Sequence, residues 1–308
     1  MEASGKETVS VVIPVRNRPE LIVRCLDSVR AQSHRPIHLI VVDNASTDNT
    51  AEVVARYFES HPEPGIRYTL LREEKPGACA ARNRGLSAVT SRMVYFFDSD
   101  DTMHPDLLEK GMAASEGADI VSWECRLMRP DGTSSRKSRL HGRLIRRQMF
   151  NAFFRTQAYM VDAGFLRRSG AWNEEAAVWN DWELGIRLML AEPRHRHIPL
   201  PLADIYPQPQ SITGTSFHAK AGAWENTLRI VGSEVSGRPD SRRLREMVDY
   251  RRAILAAIYA REGRKDLARE LLRKTLAATS CSPARKALLR FIFRYTALGG
   301  RAAYILWR

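Results

Sequence analysis

Over the first hundred residues, short apolar runs alternate with segments whose apolar positions recur at helical spacing. "VSVVIPV" (Val9 to Val15) is a β-branched run ended by proline chemistry, the pattern of a buried strand. "PELIVRCLDSVRAQ" opens on Pro19 and Glu20, a favourable helix start. Its Leu21, Ile22, Cys25, Leu26 and Val29 then follow the helical period. "HLIVVDN" repeats the strand pattern and "STDNTAEVVARYF" the capped helix; "IRYTLLRE", "GACAARNRGLSAV" and "MVYFFD" complete a third alternation. Four strands alternating with three helices predict an α/β chain, with a parallel sheet covered by helices on both faces. Ligands bind such sheets beyond the carboxyl ends of the strands. The stretches "IPVRN", Asp43-Asn44 and "DSDD" are therefore expected along one rim.

The second half is less regular. "ADIVSWECRLM" predicts a further strand and "RPDG" a turn, while Gly132 to Arg147, basic and without apolar periodicity, predicts a flexible loop. "WNDWELGIRLMLAE" resumes a helix with Leu184, Leu188 and Met189 turned inward. "YPQPQSITGTS" is a Pro, Gly and Ser-rich loop that marks the edge of the main domain, and everything after it is helical. The expected division is a domain over 1–217 and a helical segment over 218–308.

One stretch stands out chemically. "FFDSDD" (Phe96 to Asp101) runs two aromatics into three carboxylates within four positions. Like carboxylates this close repel, and such crowding calls for a cation or hydrogen-bond donors. A strand end followed by a helix cap is the alternative reading.

Composition narrows the class. The 308 residues suffice for one large domain or two unequal ones. Cys25, Cys79, Cys125 and Cys281 are scattered with no Cys-x-x-Cys pair, which fits a reducing compartment and neither a disulfide framework nor a zinc knuckle. The opening "MEASGKETVS" lacks the apolar stretch of a signal peptide, and no run approaches the roughly 18 apolar residues of a spanning helix. A cytoplasmic protein, peripheral on a membrane face if it meets one, is expected. The net charge of +13 is uneven: from Arg238 onward stand 18 Lys and Arg against 6 Asp and Glu, which leaves 30 and 29 in the rest. The positive charge belongs to the C-terminal segment.

The ordered motifs "VSVVIPVRNR", "LIVVDNASTDNT", "GACAARNRG", "VYFFDSDD" and "WNDWEL" resemble the family 2 glycosyltransferases, over roughly Val9 to Thr215. The resemblance implies a GT-A fold, and transfer of a sugar from a nucleotide diphosphate donor with inversion at the anomeric carbon. It implies Mn²⁺ or Mg²⁺ as cofactor, since a hard cation prefers carboxylate oxygen and offsets the leaving diphosphate's charge. Asp98, Ser99 and Asp100 match the family's Asp-x-Asp motif: Asp100 would ligate the metal, and Asp98 would hold the ribose and a metal-bound water. Asp101 reads instead as a cap for the next helix. Pro14, Val15 and Arg16 would lie beside the nucleoside, with Asp43 at the base or ribose; capping is the other reading of Asp43. Arg82 would contact the nucleotide or pair with a neighbouring rim carboxylate. Asp181 of "WNDWEL" would be the base that takes the acceptor hydroxyl's proton, and capping can hold at the same time. Trp179 and Trp182 would pack against an acceptor sugar or support their helix from within.

Two departures from the family pattern matter. Asn180 stands where relatives commonly carry Glu, and Gln208 stands where many carry a His before Pro-x-Ser. His218 could substitute, though a surface histidine is the simpler reading. In the tail, Lys286, Arg290 and Arg294 recur at i, i+4, i+8 among Leu288, Leu289, Phe291, Ile292, Phe293 and Tyr295, with no acid after Glu270. A basic amphipathic helix of this kind suits an anionic membrane surface or packs on the catalytic domain. The expected partners are a nucleotide diphosphate sugar and a glycan or lipid-linked acceptor in cell-surface polysaccharide assembly. The tail's aromatics read as an apolar helix face, and no recognition module is present, so no nucleic acid is expected. A nucleic-acid binder and a nucleotide-binding scaffold without catalysis are the competing classes.

Overall fold

The structure, a computed structural model, describes residues 6–137, 143–208 and 216–307. It forms two compact units, Met1–Arg147 with Ala152–Pro207, and Gln148–Asn151 with Gln208–Arg308.

The first unit begins with the predicted alternation. Strand β1 (Val9–Val15), helix α1 (Pro19–Arg30), β2 (Ile37–Asp43), α2 (Thr50–Ser60), β3 (Ile66–Arg72), α3 (Ala78–Ser87) and β4 (Met93–Phe96) follow in order. The strands β3, β2, β1 and β4 lie side by side and parallel. Every residue of β2 is buried, as its unbroken apolar run requires of a central strand, whereas the edge strand β3 buries only Ile66 fully. Alternate side chains enter two cores: Val11 and Ile13 meet α1 residues such as Ile22 and Leu26, while Val12 and Val42 lie with Cys79, Ala81 and Leu86 of α3. Gly85 explains one glycine of the "ARNRG" motif. A Cβ there would lie 2.3 Å from Val12 Cγ1, so only glycine lets α3 sit this close to the sheet.

The sheet then turns mixed. After β5 (Thr102–Met103) and α4 (Leu107–Ala113) comes β6 (Ile120–Met128), joined by a turn at Arg129–Gly132 to β7 (Ser134–Lys137), and then α5 (Leu144–Asn151). The expected loop over 132–147 is thus corrected: where described, it is a hairpin strand and a helix, and 138–142 lie outside the described residues. Ladder pairing to β6 stabilises a segment that has no apolar period of its own. Next follow β8 (Tyr159–Asp162), α6 (Ala163–Arg168), α7 (Asn180–Leu190) and β9 (His195–Ile205). β8 inserts antiparallel between β4 and β6, and β9 runs parallel to β6, giving the order β3-β2-β1-β4-β8-β6-β9-β5. All four cysteines are buried and unpaired.

The second unit is helical: α8 (Ala221–Glu234), α9 (Ser241–Arg261), α10 (Lys265–Ala278) and α11 (Pro283–Ala297). The long α9 packs against the other three, and Gly263, at φ +84°, makes the turn into α10. Of the "YPQPQSITGTS" loop, residues 209–215 lie outside the described residues. Among the described residues, no helix is long and apolar enough to cross a membrane.

Candidate active site

The carboxyl ends of β1, β2 and β4 meet at one rim. There the loop after β1 is tied to the loop after β2: Asn17 N donates to Ser46 Oγ at 3.0 Å, and Thr47 N donates to Asn17 Oδ1 at 2.9 Å. Val15 is buried, Pro14 half-buried and Arg16 exposed. Asp43 is 1% exposed; its Oδ2 lies 3.3 Å from Arg72 Nη1, and its buried Oδ1 has no hydrogen-bond partner. Asn44, next in the chain, accepts from Gly77 N at 2.8 Å and donates to the carbonyls of Glu73 and Lys75, which fixes the loop entering α3.

That loop and helix deliver Arg82 into the interior of the rim. Arg82 is 4% exposed, stacks over Trp172 at 4.4 Å, and donates from Nη2 to Asp98 Oδ1 at 2.8 Å and from Nη1 to Asn180 Oδ1 at 3.3 Å. Burial opposes its charge most, but Asp98, with Cys79 and Asp181 adding to it, holds the guanidinium pKa above its ordinary value. The pairing with a rim carboxylate, one of the two readings of this arginine, is therefore present. Asn83 holds the other wall, with Nδ2 donating to Trp172 O at 2.9 Å and Oδ1 accepting from Trp172 N at 3.1 Å.

The three carboxylates behind β4 have different surroundings. Asp100 Oδ2 lies 2.7 Å from Arg18 Nη1, and Ser99 beside it is buried. Burial, then the charge of Asp98, pushes the Asp100 carboxyl above the usual range, and Arg18 draws it part of the way back. Asp101 does not cap the following helix, which corrects that expectation. Its side chain turns inward, 2% exposed, where Oδ1 accepts from Tyr206 N at 2.9 Å and Oδ2 from Gln157 Nε2 at 2.6 Å. Burial, with Asp98 and Asp100 adding to it, pushes the Asp101 carboxyl well up. Gln157 Nε2 also donates to Asp98 Oδ2 at 2.6 Å. Arg24 completes the ring: Nη2 donates to Asp100 O at 2.5 Å, and the guanidinium lies 3.8 Å from the centre of the Tyr206 ring.

Asp181 opens α7. Its Oδ1 accepts from Trp182 N at 2.7 Å, and burial, partly offset by Arg155, raises its pKa above the ordinary carboxylate value. The preceding Trp179 takes a left-handed backbone at φ +49°, a conformation that costs a non-glycine residue about 1–3 kcal/mol and clusters at functional sites. Trp182 is 0% exposed and supports α7 from within, edge-on to Trp179; of the two, only the half-buried Trp179 offers surface. Arg82 thus brings "DSDD" and "WNDWEL" together, since it bonds Asp98 and the residue before Asp181. Elsewhere, His218 is occupied by Glu262, with Nδ1 2.9 Å from Oε2, and Gln208 is half-buried.

Sequence reasoning missed Arg18, Arg24, Tyr206 and Gln157. Arg18 falls within the quoted "VSVVIPVRNR" motif and could have been found there. Gln157 has no sequence signal, because its partners lie 56 and 59 residues away.

With the geometry described, the class is defined. The family model "Glycosyl transferase family 2" matches residues 10–178, over half of the chain, and the chain belongs to that family. Among curated relatives, it is 32% identical over 117 residues to the "Uncharacterized glycosyltransferase YibD" of Escherichia coli K12, covering 38% of this chain and 33% of that one. It is 37% identical over 108 residues to the "Amylovoran biosynthesis glycosyltransferase AmsB" of Erwinia amylovora, covering 35% of each. The match spans about a third of the length of these relatives. Among solved structures, S. aureus TarS 1-349 in complex with UDP-GlcNAc superposes with a TM-score of 0.69 at 15% identity, over 98% of this chain and 91% of that one. The mannosyltransferase PcManGT of Pyrobaculum calidifontis, in complex with GDP-Man and Mn²⁺, gives 0.62 at 20% identity, over 98% and 83%. These likenesses show the GT-A fold.

Proposed function

We propose that the protein is an inverting glycosyltransferase that moves a sugar from a nucleotide diphosphate donor to a glycan or lipid-linked acceptor in cell-surface polysaccharide assembly. The observation that carries this reading is the bridge made by Arg82, which sets the Asp98 side of the rim beside Asp181. Relatives and neighbours support it: AmsB is named for amylovoran biosynthesis, and the TarS and PcManGT structures hold nucleotide sugars.

The rim residues suit a divalent cation. Among the described residues no group of three or more His, Cys, Asp or Glu could hold a metal alone. Mg²⁺-type sites, however, use one or two carboxylates and complete their shell with water and substrate phosphates. Asp100, helped by Asp98, fits that role, because their mutual repulsion and burial are what a cation relieves. When bound there, the metal supplies Lewis-acid stabilisation of the diphosphate leaving group.

The chain's own residues do the rest. Asp43, with a buried oxygen free to accept, holds the base or ribose, and Pro14, Val15 and Arg16 flank the nucleoside. Asp98 is fixed by Arg82 and Gln157 so that it meets the donor in one orientation. Asp181, whose raised pKa makes it a better proton acceptor, takes the proton of the acceptor hydroxyl opposite the leaving group. Trp179 lies at the acceptor side.

The tail is assigned to an anionic membrane surface on the cytoplasmic side. Of the six exposed large apolar side chains among the described residues, Phe291, Tyr295, Leu298, Ile305 and Leu306 follow Pro283, and no acid accompanies them. Leu289 and Ile292, on the other side of α11, are buried. A face of this composition suits the headgroup boundary.

A thermal-shift panel of nucleotide diphosphates and nucleotide sugars, with and without Mn²⁺, tests the reading, because a ligand of the native state raises apparent stability. One nucleotide should stabilise the protein in a Mn²⁺-dependent way, and its sugar conjugate should be turned over. Binding without turnover on any acceptor would favour a non-catalytic scaffold, for which the departures at Asn180 and Gln208 would account.

A further inference from the structure

Gln157 occupies a place that the reaction chemistry does not require and the geometry does. It sits in a short 3-10 turn, Thr156–Ala158, immediately before β8, and is 7% exposed. Its backbone carbonyl accepts from three buried core groups: Tyr95 Oη at 2.9 Å, Trp123 Nε1 at 2.8 Å and Cys125 Sγ at 3.6 Å. This anchors the residue from the β4 and β6 side of the sheet. Its side chain points the opposite way chemically, since the one amide nitrogen donates to both Asp98 Oδ2 and Asp101 Oδ2 at 2.6 Å. An amide nitrogen carries two hydrogens and no charge, so it serves two carboxylates at once without tying up either as an ion pair.

We propose that Gln157 is a positioning residue for the donor site, a neutral clamp that holds Asp98 and Asp101 side by side. The proposal rests on the nucleotide-sugar reading above. Through Asp98 the clamp sets the carboxylate that faces donor and metal. Through Asp101, which accepts from Tyr206 N, it also fixes the end of β9, and Arg24 links Tyr206 back to the Asp100 carbonyl. A lysine or arginine in this place would set a second positive charge on Asp98 beside that of Arg82 and compete further with the cation. A residue without N–H groups would leave Oδ2 of the buried Asp101 and Oδ2 of the half-buried Asp98 facing each other with no shared donor.

The backbone bonds survive any substitution at this position, so the two roles can be separated. Q157M keeps the length and the carbonyl anchor but removes both donors. Binding of Mn²⁺ with UDP, or with GDP if wild type prefers it, is measured by calorimetry beside thermal unfolding. Q157M should bind the nucleotide–metal pair about tenfold more weakly or worse, the loss expected of charge-assisted hydrogen bonds. If Q157M folds poorly, Q157M/D101N removes the facing charge: it should recover wild-type unfolding while donor binding stays weak, because Asp98 Oδ2 still lacks the Gln157 donor and Arg82 holds only Oδ1. Affinity within twofold of wild type in either folded variant overturns the proposal, as does full recovery of binding in the double variant. If wild type binds neither nucleotide, the nucleotide-sugar reading itself fails, an outcome distinct from an unaffected Q157M.

Discussion

Arg18 and Asp100 form an ion pair, with Arg18 Nη1 2.7 Å from Asp100 Oδ2. The carboxylate proposed to ligate a divalent cation is therefore held by Arg18, immediately before α1. Both side chains are largely shielded, with 29% and 12% of their surface exposed, so the pair is less screened than an exposed one. Cation entry and the ion pair compete for the same oxygen. R18Q should tighten Mn²⁺ binding to the nucleotide-free protein by roughly three- to tenfold, the range of about 1 kcal/mol for such a pair. Titration of free Mn²⁺ by electron paramagnetic resonance reads this directly, and an unchanged or weaker affinity would show that Arg18 does not shield the site.

The base is tested by D181N, which keeps size and the acceptor oxygen for Trp182 N while removing the proton acceptor. Transfer should fall by roughly 10²- to 10⁴-fold, the usual contribution of a general base, with donor affinity nearly unchanged. If donor binding collapses while the transfer step is spared, Asp181 belongs to the structure of α7 and not to the chemistry.

Much of this was legible in sequence, and the reasons differ by element. The alternation from β1 to β4 could be read because each strand is a continuous apolar run and each helix carries its own period and start signal. Pro19 at the first turn of α1 is one such signal. β7 could not be read, because "SSRK" has no apolar pattern and owes its form to pairing with β6, whereas the helical spacing of Leu144, Ile145, Met149 and Phe150 in α5 is a signal that basic neighbours obscure. At the site, Asp98, Asp100 and Asp181 stand out in the sequence because each lies in a motif that carries the family resemblance, and their roles are proposals. Asp101 reads as a cap in sequence because its partners in the fold, Gln157 and the Tyr206 amide, are far away in the chain.

Acid should destabilise the fold through His38. Arg67 Nη2 donates to its Nδ1 at 2.7 Å, so Nε2 carries the proton and donates to Thr69 Oγ1 at 2.9 Å. Burial, then the Arg67 charge, pushes its pKa down to about 4. The folded value lies below the unfolded one of about 6.5, so the contribution is fully present above pH 6.5 and is lost as pH falls toward 4. His195, pushed down to about 4 by burial and then by His197, acts in the same direction. Denaturation between pH 7 and 4 should show a stability slope that H38Q makes shallower by up to about one proton. An equal slope in both proteins would remove His38 from the account.

The tail makes a separate claim. The protein should sediment with anionic vesicles, less so as salt rises, since basic residues near such a surface contribute about 1 kcal/mol each. R290E/R294E should weaken binding most at low salt, and F291S/Y295S should weaken it at all salt concentrations; both arginines and both rings are exposed. Wild-type binding by both variants would leave α11 as a packed helix with a solvent-facing basic side.

The central claim, that the acids behind β4 hold a nucleotide diphosphate with a divalent cation, is tested most directly by one comparison. Thermal unfolding of wild type and D100A is followed with the preferred nucleotide diphosphate, with and without Mn²⁺. Wild type should gain stability that depends on having both ligands, and D100A should lose the Mn²⁺-dependent part while remaining folded. A D100A protein that keeps the full Mn²⁺-dependent gain would contradict the account.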